Sequence, residues 1–164
     1  MNALHRCLAS LLLTALVFLA GCASPTRPSA TAETNFWQGR LSLQIATAQP
    51  QSFSAGFELS GQSQAGTLLL NSPLGNTVAE LTWTPQNATL KTGGELRSFE
   101  TLDDLLRHST GTTIPVQALF SWLKGEPVSA TGWVADVSQL SAGRLNVKRT
   151  QPAPLIELRL VLQP

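Results

Sequence analysis

A period-two alternation of apolar and polar residues runs through most of this chain, and it restricts the fold more than any other feature. Leu41, Leu43 and Ile45 alternate with Arg40, Ser42 and Gln44. Phe53, Ala55, Phe57 and Leu59 alternate with Ser52, Ser54, Gly56, Glu58 and Ser60. Ala79, Leu81 and Trp83 alternate with Val78, Glu80 and Thr82. Successive side chains of a strand point to opposite faces, so each segment is predicted as a half-buried antiparallel strand. Shorter strands are predicted at 88–91, 95–99, 133–137 and 144–149. A last strand spans 155–162, with Ile156, Leu158, Leu160 and Leu162 on one face and Glu157 and Arg159 on the other.

The period changes once, in the middle. Leu102, Leu105 and Leu106 fall at helical spacing. Thr101 is a plausible N-cap, Asp103 and Asp104 sit in the favourable first turn, and Gly111 lies past the end. Val116, Leu119, Phe120 and Leu123 repeat the helical spacing, with Pro115 suited to the first turn and Lys124-Gly125 closing it. The order is a strand meander, a pair of short helices, then more strands. This is a mainly β, α+β pattern: a strongly curved antiparallel sheet or open barrel whose concave face is covered by the helices. Leu41, Leu43, Phe53, Phe57, Leu81 and Trp83 on the strands face inward with Leu119, Phe120 and Leu123 on the helices. They either fill a core or line a cavity, and periodicity does not separate the two.

The N-terminus is of another kind. Arg6 precedes an apolar run from Leu8 to Ala20, and the run ends in Leu19-Ala20-Gly21-Cys22. This resembles a bacterial lipoprotein signal, cleaved before a Cys that then carries lipid. Residues 1–21 are read as that signal, residues 22–35 as the lipidated Cys22 and a Ser/Thr/Pro-rich tether, and residues 36–164 as the domain. Ala23, not Asp, follows the Cys, which under the usual sorting rule implies the outer membrane. Cys7 leaves with the signal and Cys22 is consumed, so no thiol remains for a disulfide, a metal or a nucleophile. Without Arg6, basic and acidic residues balance, which argues against nucleic acid as a partner.

Enzyme chemistry finds no footing. His108 is the one His beyond the signal, and a lone helical His is more often a surface or cap residue than a base. There is no Gly-x-Ser-x-Gly elbow and no phosphate-binding Gly-rich loop. Asp103 and Asp104 are adjacent on a helix, where neighbours do not face each other, and helix-terminal charge explains them. No enzyme activity, cofactor or metal is expected. One turn stands out: Asn71-Ser72-Pro73-Leu74-Gly75-Asn76-Thr77 carries a large apolar residue at a polar bend. Leu74 either packs under the tip or projects from it. Arg40 either faces the cavity mouth or lies on the solvated outer face, the second being the expected place.

Three motifs together resemble one family. They are "GRLSLQI" shortly after Trp37, "LLLNSPLGNT", and "LLRHSTGTTIPVQALFSWLKGEP", the last with Gly111, Ile114-Pro115-Val116, Leu119, Trp122-Leu123, Gly125 and Pro127 in the family's pattern. The chain resembles the outer-membrane lipoprotein receptor family LolB over roughly residues 36–162, departing at Glu126, where an apolar residue is common. The resemblance implies an incomplete antiparallel barrel with a short-helix lid over a hydrophobic cavity. It implies a monomeric receptor, held at the outer membrane with its domain facing the periplasm. Such a receptor accepts client lipoproteins from the periplasmic carrier LolA and inserts them into the membrane. It implies that Pro73, Leu74 and Gly75 form a loop that projects Leu74 for delivery. The competing reading is a membrane-anchored, lipocalin-like binder of a small apolar ligand. A lipoprotein with a filled core is a third.

Overall fold

The computed structural model describes residues 35–164. The signal, Cys22 and the tether as far as residue 34 lie outside the described residues. The order is β1 (Asn35–Ala46), β2 (Gln51–Gly61), β3 (Gly66–Asn71), β4 (Thr77–Trp83), β5 (Ala88–Thr92) and β6 (Glu95–Phe99), then α1 (Leu102–Thr110) and α2 (Val116–Leu123). After the helices come β7 (Trp133–Asp136), a short 3-10 turn (Leu140–Ala142), β8 (Arg144–Arg149) and β9 (Leu155–Leu162). All strands join one 9-stranded sheet in the order β6-β5-β4-β3-β2-β1-β9-β8-β7. Every pairing is antiparallel, and β6 and β7 remain edges, so the barrel is incomplete. The mainly β architecture with a helical pair is the one read from the alternation.

Rows of inward side chains cross the sheet and give it one apolar face. Leu145, Leu160, Leu41 and Ala55 form one row. Leu59, Leu68, Leu81 and Leu90 form another. A one-residue slip would turn each row outward, so burial fixes the register. β1 begins earlier than its alternation suggests, because the far half of β2 needs a partner; Asn35 Nδ2 also donates to Gly61 O at 3.1 Å. β7 ends one residue early at Asp136, whose carboxylate accepts from the Ser138 backbone and hydroxyl and bends the chain into a turn.

The helices begin and end for local reasons. Thr101 Oγ1 accepts from Asp104 N at 3.1 Å, and Gly111 closes α1 in the left-handed region with its N–H on Arg107 O. Pro115 sits just before α2 rather than inside its first turn, and its carbonyl accepts from Leu119 N at 2.9 Å. The predicted stripe of α2 is wider in the structure: Ala118 and Trp122 are buried as well as Phe120 and Leu123, while Leu119 is half-buried. Trp122 is 1% exposed, and its Nε1 donates to Val128 O at 2.8 Å, tying the end of α2 to the chain leaving it.

Candidate functional site: an apolar cavity beneath the helices

The inward face of the sheet and the two helices do not close on each other. Between them lies a cavity of about 580 Å³. This falls within the roughly 300–1,000 Å³ typical of small-molecule pockets. Leu41, Leu43, Phe53, Phe57, Leu81 and Trp83 line it from the strands, and Leu119, Phe120 and Leu123 from α2. The inward phase thus brings all of these residues around one space. Leu59, Leu68, Leu70 and Leu90 add to the wall, as do Leu158 and Leu160 from β9 and Leu102, Leu106, Ile114 and Val116 from the helical segment. The strand phase carries a signal for Leu59, Leu158 and Leu160. In β3 that signal is hidden, because Leu68-Leu69-Leu70 has no alternation to read.

Aromatic rings close off one part of this space. Phe120 meets Trp37 edge-on at 5.5 Å and Trp83 at 6.3 Å between ring centres. Such edge-to-face contacts add to burial, by about 0.5–1.5 kcal/mol per pair. Trp83 also donates Nε1–H to Ser63 O at 3.1 Å. Gly66 makes room for this ring: a Cβ there would stand 2.6 Å from Trp83 Cζ2. The lining residues left exposed mark the mouth. Phe53 and Val78 are about two-fifths exposed, and Ser52 and Thr92 beside them are exposed and polar.

Loop 72–76 leaves the sheet at the end where Phe53 and Val78 stand, since Asn71 pairs with Gly56 and Thr77. Gly75 N donates to Ser72 O at 2.9 Å and Ser72 N to Asn76 O at 2.8 Å, and Gly75 takes φ of 85°. Leu74, between Pro73 and Gly75, is 88% exposed. It projects from the tip and does not pack under it. Arg40 is exposed on the outer face, away from the cavity.

Sequence reasoning misses Arg149. It follows Leu145 and Val147 in the inward phase of β8 and is 8% exposed. Its guanidinium donates to Pro152 O at 2.9 Å, to Ala153 O at 3.1 Å and to Thr112 Oγ1, itself buried. Thr112 lies in the link between α1 and α2, so this arginine fastens the helical pair to β8 and the β8–β9 turn. A buried charge lacking such acceptors would be costly. His108 is exposed; its ring packs 5.3 Å from that of Phe99 and its Nε2 lies 3.4 Å from Arg97 Nη1. Glu157 gathers Lys148 at 3.4 Å and Arg159 at 2.9 Å on the outer face. Burial works against its charge, but hydrogen bonds from Arg159 and Asn146 and the attraction of both cations outweigh it and hold the carboxyl below its usual range.

The described residues thus combine a half-open sheet, a helical cover, an apolar cavity and a projecting leucine beside its mouth. The sequence family of outer membrane lipoprotein LolB matches residues 36–153. The chain belongs to the LolB family. The outer-membrane lipoprotein LolB of Bordetella petrii is 33% identical over 171 aligned positions, covering 88% of this chain and 86% of the relative. That of Cupriavidus metallidurans is 34% identical, covering 88% of this chain and 73% of the relative. That of Shewanella loihica is 29% identical, covering 94% and 74%. Membership in the LolB family places the chain among outer-membrane lipoproteins that serve lipoprotein localisation. The family match takes in strands β1 to β6, of which β1 to β5 line the cavity, both helices and the Leu74 loop.

Proposed function

We propose that this protein is an outer-membrane receptor that accepts lipoproteins from the periplasmic carrier LolA and inserts them into the outer membrane. The observation that carries the reading is the apolar cavity of about 580 Å³ with the exposed Leu74 beside its mouth. Each methylene removed from water is worth about 0.8 kcal/mol, so a chain of about fifteen methylenes gains roughly 12 kcal/mol on burial. Free passage of acyl chains through water is therefore prohibitively slow, and a protein cavity removes that barrier. Acyl chains are held by dispersion and water exclusion on the strand and helix side chains named above, and the cavity wall carries no charged residue. That makes the site tolerant of different clients.

The transfer runs downhill without a nucleotide. A ligand moves between sites according to its differential affinity for them. In this reading the carrier's site, this cavity and the bilayer hold the chains with increasing affinity. Leu74 contributes to the last step by entering the acyl boundary and bringing the cavity mouth to the membrane. Among the described residues no helix is long and apolar enough to cross a membrane. Attachment in this reading comes from lipid on Cys22 through the tether, with residues 36–164 as the working domain. The domain acts as a monomer and performs no covalent chemistry.

The test is a handover assay. Carrier loaded with a radiolabelled lipoprotein is mixed with this protein and then with phospholipid vesicles. The reading requires the label to pass to this protein first and to the vesicles second. A protein that takes up a small apolar ligand but never takes lipoprotein from the carrier is instead the lipocalin-like binder.

A further inference from the structure

The outer face of the sheet carries a notch at the foot of the Leu74 loop, and the geometry points to it as a site for the phosphate of a lipid headgroup. One outward row crosses the sheet as Arg144, Val161, Arg40, Gly56 and Asn71. Gly56 has no side chain, so a gap opens between Arg40 and Asn71. Neighbouring strands lie about 4.8 Å apart, so the two flanking backbones are about 10 Å from each other. The groove so formed has a volume of about 240 Å³, and Pro73 and Gly75 of the loop overhang it.

Its polar groups suit an anion. Arg40 lines the groove and makes no ion pair or side-chain hydrogen bond among the described residues. Arg144, two strands away in the same row, is also exposed and unpaired among them. Glu58 also lines the groove; its Oε1 accepts from Asn71 Nδ2 at 3.1 Å, and since that neutral amide leaves the carboxylate charged, the positive balance of this surface comes from Arg40 and Arg144 together. Ser72 lines the groove too, and its Oγ is buried with no hydrogen-bond partner. A planar guanidinium and an unpartnered hydroxyl on the wall of one groove are both groups that phosphate oxygens accept from.

Position selects the source of the phosphate. Asn71 is three residues from Leu74, a reach of at most about 10 Å. The headgroup layer on each side of a bilayer is about 5–8 Å thick. When Leu74 reaches the acyl boundary, the notch lies within or at the edge of the phosphate layer. The inference rests on the membrane-contacting reading of Leu74, and it adds a polar contact that holds the loop at that depth.

The experiment uses the full lipid-anchored chain in vesicles, with labelled arginine, and reads magic-angle-spinning NMR dephasing of the Arg40 guanidinium by phosphorus. Vesicles of phosphatidylethanolamine and phosphatidylglycerol are compared with vesicles of digalactosyl diacylglycerol, the latter with and without millimolar inorganic phosphate. Arg40 should dephase on phospholipid only. Gly56→Thr fills the notch without a positive φ, since a Cβ there meets nothing nearer than Asn71 Cβ at 3.5 Å. It should abolish the dephasing and slow client insertion about 5–10-fold on phospholipid, while uptake from the carrier is unchanged. Arg40→Gln should slow insertion alike, and Lys124→Gln, an exposed cation elsewhere, should not. Absence of dephasing in the wild type, or its persistence in Gly56→Thr, overturns the site. Equal dephasing by inorganic phosphate on galactolipid overturns the headgroup assignment. Dephasing without any client transfer leaves the notch standing and refutes the receptor function.

Discussion

Under the proposed function, replacing Leu74 by Glu should separate membrane contact from every other role of the domain. Only about a tenth of the Leu74 surface is covered, at 88% exposed. Full burial of a leucine is worth about 1.5–3 kcal/mol, so the fold loses about 0.4 kcal/mol at most. The turn is held by backbone bonds from Gly75 to Ser72 and from Ser72 to Asn76, which the substitution does not touch. The cavity wall excludes Leu74, so acceptance from the carrier should be unchanged. Entry into the bilayer is different. A leucine is favourable there by about 0.5 kcal/mol and a charge at the centre costs about 2.5–3.5 kcal/mol. The cost of a charge falls to about 0–1 kcal/mol near the interface, so at the acyl boundary the net penalty is about 0.5–1.5 kcal/mol, or roughly 2–13-fold in the population of the engaged state. Denaturant unfolding, carrier-to-receptor transfer and receptor-to-vesicle transfer are measured on the same variant. The reasoning is refuted if Leu74→Glu destabilises by several kcal/mol. It is equally refuted if acceptance falls together with insertion, which would make the loop part of the carrier interface.

Other substitutions probe the cavity, its cover and the surface. Phe57 is 2% exposed and lines the cavity, so Phe57→Asp should destabilise by about 3–5 kcal/mol and end acyl binding, read by unfolding and by fluorescent fatty-acid titration. Arg149→Ala removes the donors that join Thr112 to Pro152 and Ala153; it should cost about 2–3 kcal/mol and speed hydrogen exchange in the α1–α2 link more than in β1. The lowered Glu157 carboxyl contributes stability that is present above its unfolded value, near pH 4.5, and is lost as pH falls through the folded one. Glu157→Gln should thus cost under about 1 kcal/mol at pH 7 and flatten the stability profile below pH 4.5, checked by urea titrations across that range. Cys22→Ser should yield a water-soluble chain with unchanged cooperative unfolding, detected by fractionation and calorimetry.

Strand phase is legible wherever apolar and polar residues alternate. Leu41, Leu43 and Ile45 report their own orientation, and so do Phe57, Leu81 and Leu158. A run such as Leu68-Leu69-Leu70 does not, because each residue is apolar and the face is set by the partner strands. The place of β9 beside β1 is not legible either, since pairing across the whole chain depends on tertiary closure. Arg149 shows why the cover is harder to read than the sheet. A charge in an inward phase looks like an exception until its neutral acceptors in two distant segments are known. Whether inward residues touch or leave a space depends on how far α1 and α2 stand off the sheet. Arg149 and Thr112 tie the helical pair to β8, and neither reveals that distance in one dimension. Leu74 is legible as an anomaly, and only the geometry of loop 72–76 decides its direction.

The central claim is that acyl chains travel through the space beneath the helices. The most direct test places a photoreactive residue at Leu119, half-buried on the cavity wall, and follows it during lipoprotein handover from the carrier. The account predicts crosslinks to the client's acyl chains that appear on mixing with loaded carrier and decay when vesicles are added. Crosslinks that never form at Leu119, while lipoprotein still reaches the vesicles, would contradict it.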